Sequence, residues 1–206
     1  MASSPMTRMP PQLLVWTCMG ASLGVLGVFS ALASCSTFAL PALFELMPTT
    51  GMSAEQEVVY REFLHSSVKW APLGVIIGFF KLPLGLGLVL GSGMSLMGTV
   101  GGDTWLRRTY KYGLAFEPFS LVVGLTIGFL SIYAMDIGSF MDNFSGGQGA
   151  PPPEFNQAMD LVMWGAMAMQ TVFAAVWTAA KMGFYWWGLR ILGTEEGKAF
   201  YTELDG

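Results

Sequence analysis

The sequence predicts an all-α integral membrane protein, a bundle of four membrane-spanning helices with an additional interfacial helix. Hydrophobic residues make up 53% of the 206 residues and charged residues only 12%, against roughly 25% charged residues in ordinary soluble domains. Four apolar stretches each meet or nearly meet the ~17–25 residues that a spanning helix needs. The length allows one compact bundle, so we expect a single membrane domain over residues 1–206.

The four predicted spans cover residues 13–33, 83–102, 119–135 and 161–180. The second is taken from a longer apolar stretch, Trp70–Gly102, which holds one charged residue, Lys81. As one straight helix this stretch would measure about 50 Å, against a hydrocarbon core of ~30 Å. Because proline removes a backbone donor, we expect a break at Lys81–Pro83. Residues 70–80 would then lie at the interface, project from the membrane or form a re-entrant hairpin.

The segments between the spans differ in character. Residues 48–69 carry several charges and predict a short polar helix, which is the additional interfacial helix. Residues 145–153 are rich in glycine and proline and predict a flexible loop. Residues 193–206 form a polar C-terminal tail. The ionisable side chains Glu117 and Lys181 fall at the ends of the third and fourth predicted spans, so we expect no carboxylate or histidine deep in the membrane.

The orientation follows from the lysines and arginines. With four spans, seven of them lie on the side of the two termini, including Arg107, Arg108 and Lys111, and three on the other side. Positive charge concentrates on the inner side of membranes, so we expect both termini on the cytoplasmic or matrix face. No acidic residue precedes Glu45, which resembles a mitochondrial targeting bias. A short tail before the first span would have the same composition. The mitochondrial inner membrane, with both termini in the matrix, is the favoured location, because close-packing helix faces and short extramembrane parts suit a subunit of an energy-converting complex there.

Small residues recur at helical spacing in the second and third spans. Such spacing places them on one helix face and lets a neighbouring backbone approach closely. The face on the second span is predicted to be a docking surface for a partner subunit. The predicted helix-packing residues are Gly87, Gly91, Ser95, Gly98, Gly102, Gly124 and Gly128.

Lys81 is the most unusual polar residue, since an ionisable group inside a membrane stretch suggests a functional site. Three interpretations are open: an interfacial anchor that contacts lipid headgroups, a structural pairing with a carboxylate, and a role in transport. Because Pro83 suggests a helix start nearby, the anchor is favoured. Arg107, Arg108 and Lys111 are the other predicted interface and lipid contacts.

The sequence predicts no catalytic, cofactor-binding or metal-binding residues. A metal or haem site usually needs several ligands that converge, and the chain has a single histidine, His65. The same histidine cannot assemble a nucleophile and base, so we expect no enzyme activity. No basic cluster indicates nucleic-acid binding. The only non-protein ligand we expect is a phospholipid such as cardiolipin.

In length, span number and glycine content the chain resembles the mitochondrial inner-membrane translocase channel family. The resemblance covers architecture alone and assigns no residue a role. The sequence favours a non-catalytic subunit of a large energy-converting membrane complex, such as a respiratory complex or ATP synthase, with other membrane subunits and lipids as partners. A small transporter or channel that uses Lys81 is the alternative. A secretory-pathway tetraspan adaptor is a further one.

Overall fold

The computed structural model describes residues 9–36, 54–134 and 153–205. Over these ranges the chain is helical and contains no strand. Four of its helices are long and apolar enough to cross a membrane, as in an integral, multi-pass membrane protein, and the predicted fold class is confirmed. The helices are α1 Pro11–Ser36, α2 Ala54–Val68, α3 Ala71–Leu96, α4 Gly102–Ala134, α5 Pro153–Leu192 and α6 Glu195–Asp205.

Helix α3 runs without interruption through Pro83, which differs from the predicted break. Pro83 has no N–H to donate to the turn before it. The adjacent carbonyl oxygen of Phe80 accepts a hydrogen bond from the Tyr112 hydroxyl of α4 at 3.0 Å. The carbonyl that Pro83 leaves without its usual donor is that of Phe79, four residues earlier, and proline is tolerated in spanning helices where neighbouring helices and local adjustments compensate. Residues 71–80 therefore belong to the same helix, whose candidate span begins at Pro72 instead of Pro83.

The C-terminal end of α3 also differs from the prediction, which extended the span to Gly102. Helix α3 ends at Leu96, and Gly98 follows with a φ of 66°. The amide of Gly98 donates to Ser95 and that of Thr99 donates to Met94, the pair of bonds that closes a Schellman motif. Gly98 is thus a helix terminator, because the left-handed backbone favours a residue without a Cβ. Gly102 begins the next helix.

Helices α4 and α5 are longer than their predicted spans of 119–135 and 161–180. Helix α4 begins at Gly102 and α5 continues to Leu192, so Glu117 and Lys181 lie inside helices and not at their ends. Their side chains form an ion pair with each other. Pairing removes the reason for a span to stop at either residue, because two opposite charges in contact can stay inside a bundle.

Close packing of α1 against α3 is the most extensive contact between helices, followed by α3 against α4 and α4 against α5. A Cβ added at Gly24 would lie 2.8 Å from the carbonyl oxygen of Gly85, and one at Gly85 would lie 2.8 Å from the amide nitrogen of Val28. The two backbones therefore touch, which only glycine permits. Helix α1 meets α5 only slightly, where the Trp16 ring stacks on Phe184 at 4.9 Å.

The C-terminal tail forms helix α6 and returns to the bundle. Tyr201 is 5% exposed, and its hydroxyl donates to the Ser95 hydroxyl of α3 at 2.8 Å. Burial raises the pKa of the Tyr201 phenol above its ordinary value of 10.0, so the hydroxyl keeps its proton and remains a donor. Arg107 of α4 donates to the Leu192 carbonyl at the end of α5. These contacts bind the ends of three spans together at one end of the bundle.

Replacing Gly24 with alanine should lower the free energy of unfolding by about 1–3 kcal/mol, the usual cost of forcing an extra group into a packed interior. The added methyl would meet backbone atoms of α3 at 2.8 Å, and backbone cannot move aside as a side chain can. Unfolding in mixed detergent, followed by circular dichroism, measures the loss. Gly124→Ala is the matched control, since nothing lies within 4 Å of a Cβ there. Equal losses in both variants would contradict the tight α1–α3 contact.

Candidate functional site

Three ionisable side chains from three helices line one cavity of about 100 Å³. They are Lys81 of α3, Glu117 of α4 and Lys181 of α5. The remaining wall is mostly apolar and includes Leu23 and Leu26 of α1. We call this space the charged cavity.

The charged cavity is lined by residues that fall inside the candidate spans of every helix that builds it. Glu117 is at the middle of the candidate span Gly102–Leu130, and Lys81 is close to the middle of Pro72–Leu96. Lys181 falls in the last third of the candidate span of α5. Ionisable side chains at such depth are costly, and they face the bundle interior where they occur.

Glu117 is the best-satisfied member of the group. It is 4% exposed, and one of its carboxylate oxygens, Oε2, forms an ion pair with the Lys181 ammonium. The other, Oε1, accepts a long hydrogen bond of 3.4 Å from the Tyr185 hydroxyl. Gly113 makes this possible, since a Cβ there would lie 2.6 Å from the Tyr185 ring. Both carboxylate oxygens are therefore engaged, as a buried carboxylate requires.

Lys81 is the member without an ion-pair partner among the residues that the structure describes. No carboxylate in the described parts of the chain forms an ion pair with it, although it interacts electrostatically with both Lys181 and Glu117. The three side chains together carry two positive charges and one negative charge when ionised. When all three are ionised, the charged cavity therefore has one positive charge in excess among the described residues that line it.

A second, larger space adjoins the charged cavity between α1 and α5. It measures about 450 Å³ and shares Leu23, Trp177 and Lys181 with the charged cavity. We call it the lateral groove. Helices α1 and α5 make only a small contact with each other, which includes the Trp16–Phe184 stack, and the groove is lined by residues of these two helices.

Gly87 and Gly91, predicted to form a docking face for a partner, lie against α4 of the same chain. A Cβ at Gly87 would lie 2.5 Å from the Thr109 hydroxyl, and one at Gly91 would lie 3.0 Å from Leu106. Ser95 is fully buried. This face is thus covered from within the chain.

The other predicted positions are dispersed. Gly102, at the start of α4, faces Ser95. A Cβ added at Gly102 would lie 2.8 Å from the Ser95 hydroxyl oxygen. Gly124 and Gly128 have no described neighbour within 4 Å of a Cβ.

Of the predicted lipid contacts, Arg108 and Lys111 are exposed. Arg107 is partly buried and pairs with Asp103 at 3.6 Å.

The sequence interpretation missed Glu117 and Lys181 as site residues and placed Lys81 at the interface. A signal was present: Lys81 interrupts one apolar stretch, and Glu117 and Lys181, which have opposite charges, border two others. Such a set predicts mutual pairing inside a bundle. Whether the three residues meet depends on which helices are adjacent and at which depth each residue lies. The linear sequence does not give this information.

No protein-family model, curated protein sequence or solved structure matches this chain. The functional interpretation therefore rests on the charged cavity and its surroundings.

Removing one partner of the Glu117–Lys181 pair should destabilise the protein by about 3–5 kcal/mol, because the other charge stays buried without compensation. Glu117→Gln and Lys181→Met should each show this loss, and the double variant should lose less than the sum of the two. Unfolding free energies in mixed detergent give the coupling.

The control for this cycle is Glu57→Gln in the exposed α2 pair, where Glu57 and Arg61 lie 2.8 Å apart and only about 0–1 kcal/mol is expected. Strictly additive losses at Glu117 and Lys181 would show that the pair contributes no coupling energy.

Proposed function

We propose that this chain is a small membrane transporter for a negatively charged solute, and that the charged cavity is its binding site. The supporting observation is the excess of lysine over carboxylate at membrane depth among Lys81, Glu117 and Lys181. A positive charge without a counter-charge is unfavourable in an apolar surrounding. An anion that enters the cavity supplies the missing charge, so its binding is favoured there over the rest of the membrane interior.

The dimensions of the cavity favour a carrier over an open channel. About 100 Å³ holds a few water molecules or one small acidic group. A carrier needs a solute site of this kind together with a rearrangement that exposes it to either side. Glu117 suits that cycle, since its carboxylate holds Lys181 when the solute is absent and competes with the solute for the lysines.

Lys81→Met should lower anion flux about tenfold, which corresponds to a loss of 1.4 kcal/mol of binding, because the unpaired positive charge is removed. The measurement is uptake of radiolabelled chloride, phosphate, and short- and long-chain carboxylates into vesicles that contain the purified chain. Arg108→Gln is the control, because it removes an exposed positive charge outside the cavity. Uptake no faster than in protein-free vesicles, or unaffected by Lys81→Met, would overturn the proposal.

A second candidate is a non-catalytic subunit of an energy-converting complex in the mitochondrial inner membrane, with both termini in the matrix. It is favoured by the exposed surface of the C-terminal half of α4 and the N-terminal half of α5. No described side chain from Leu161 to Trp177 is buried by the chain itself. Gly124, Gly128 and Gly165 leave open surface, with nothing within 4 Å of an added Cβ. Small residues of this kind let a partner helix approach closely.

In this second role, a bound phospholipid such as cardiolipin would contact Arg108 and Lys111.

In this second role, Gly124→Leu should release partner subunits that co-purify with the native chain in mild detergent, because the larger side chain occupies the space of the partner helix. Val122→Leu, at a neighbouring exposed position, is the matched control. Mass spectrometry of the purified material gives the partner list. Recovery of the native chain as a lone, stable monomer would overturn this candidate.

A further inference from the structure

We propose that the transported solute is a carboxylic acid with a single acyl chain, and that it enters the charged cavity sideways from the bilayer through the lateral groove. This proposal rests on the proposed function, since both use the same cavity. It adds the chemical class of the solute and the route by which it arrives.

The lateral groove has the lining that an acyl chain requires. Its walls are largely apolar side chains, with Met19 and Leu23 on α1 and Trp177 and Phe184 on α5. Its volume of about 450 Å³ lies at the lower end of the ~300–1,000 Å³ that is typical for ligand pockets. This space suits one chain better than the two chains of a phospholipid.

Where the lateral groove borders the charged cavity, it has the positive charge that an acid headgroup requires. Lys181 lines both the groove and the charged cavity. Its ammonium pairs with Glu117, while Lys81 lines the same cavity without an ion-pair partner among the described residues. A second carboxylate brought in by the ligand would equalise the positive and negative charges. An uncharged head of the same size would not.

The two features share three lining residues, Leu23, Trp177 and Lys181, and this adjacency sets the proposed orientation of the ligand. Leu23 and Trp177 lie at the junction of the groove and the cavity. An acid group seated between Lys81 and Lys181 would therefore extend its chain between α1 and α5. The Trp16–Phe184 stack, together with the hydrogen bond from Trp16 to the Phe184 carbonyl at 3.2 Å, closes the space between these helices at one end.

The test is photolabelling of the full chain in phosphatidylcholine vesicles. The probe is a palmitic acid analogue with a diazirine on its acyl chain, and the reference probe is the alcohol of equal length. Mass spectrometry locates the label. We expect the acid to label residues 18–23 and 177–184, and the alcohol to label them about tenfold less, a difference of 1.4 kcal/mol.

Two variants, each with a control, test the role of the positive charge and the role of the lateral groove independently. Lys81→Met should reduce acid labelling to the level of the alcohol, while Arg108→Gln leaves it unchanged. Ala180→Trp fills the groove, in whose wall Ala180 lies, and should abolish labelling. Val172→Trp adds the same bulk at an exposed position of α5 outside the groove and should have no effect. Because Lys81→Met does not alter the groove, a folding defect in Ala180→Trp leaves the charge test intact.

The outcomes distinguish this inference from the proposed function. Equal labelling by acid and alcohol, or label outside the groove, overturns the inference. Flux of small anions without specific acid labelling also overturns the inference and leaves the transporter standing. Specific acid labelling without flux of any anion overturns the transporter and leaves the acid-binding site standing.

Discussion

The ion pair between Glu117 and Lys181 is the constraint on which the arrangement of this bundle depends. Each side chain alone would be costly inside a membrane, and together they allow α4 and α5 to continue through the bilayer as long, uninterrupted helices. The pair fixes the relative level of the two helices, because contact requires both charges at one depth. Tyr185 and Lys81 are placed around it, so the geometry of the charged cavity follows from the pair.

Glycine contacts set how closely the helices approach, both at α1–α3 and beside the ion pair. Gly24 and Gly85 bring α1 against α3 at backbone distance, and Gly113 admits the Tyr185 ring beside Glu117. With larger residues at these positions, the helices would stand further apart. In the membrane the hydrophobic effect does not drive helices together, so close contact and polar pairing supply the association energy. Glycine packing and the buried charges therefore support each other.

The slight contact between α1 and α5 relates the fold to its proposed role. Helices α1 and α5 make only a small contact, which includes the Trp16–Phe184 stack, while α1–α3, α3–α4 and α4–α5 pack more extensively. In the proposed role, the lateral groove between α1 and α5 connects the charged cavity with the surrounding bilayer. A transporter that draws its solute from the membrane needs such a lateral entrance, whereas a purely structural bundle does not.

The sequence by itself determined the class of this protein: apolar length and low charge identify four spanning helices, and no strand pattern competes with them. It could not determine the helix limit near Glu117, because the local signal of interruption was offset by Lys181, which lies far away in the chain. It identified Gly87 and Gly91 as packing residues but not their neighbour. Only the tertiary structure decided that Lys81, Glu117 and Lys181 share one cavity, since that depends on which helix faces meet and at which depth.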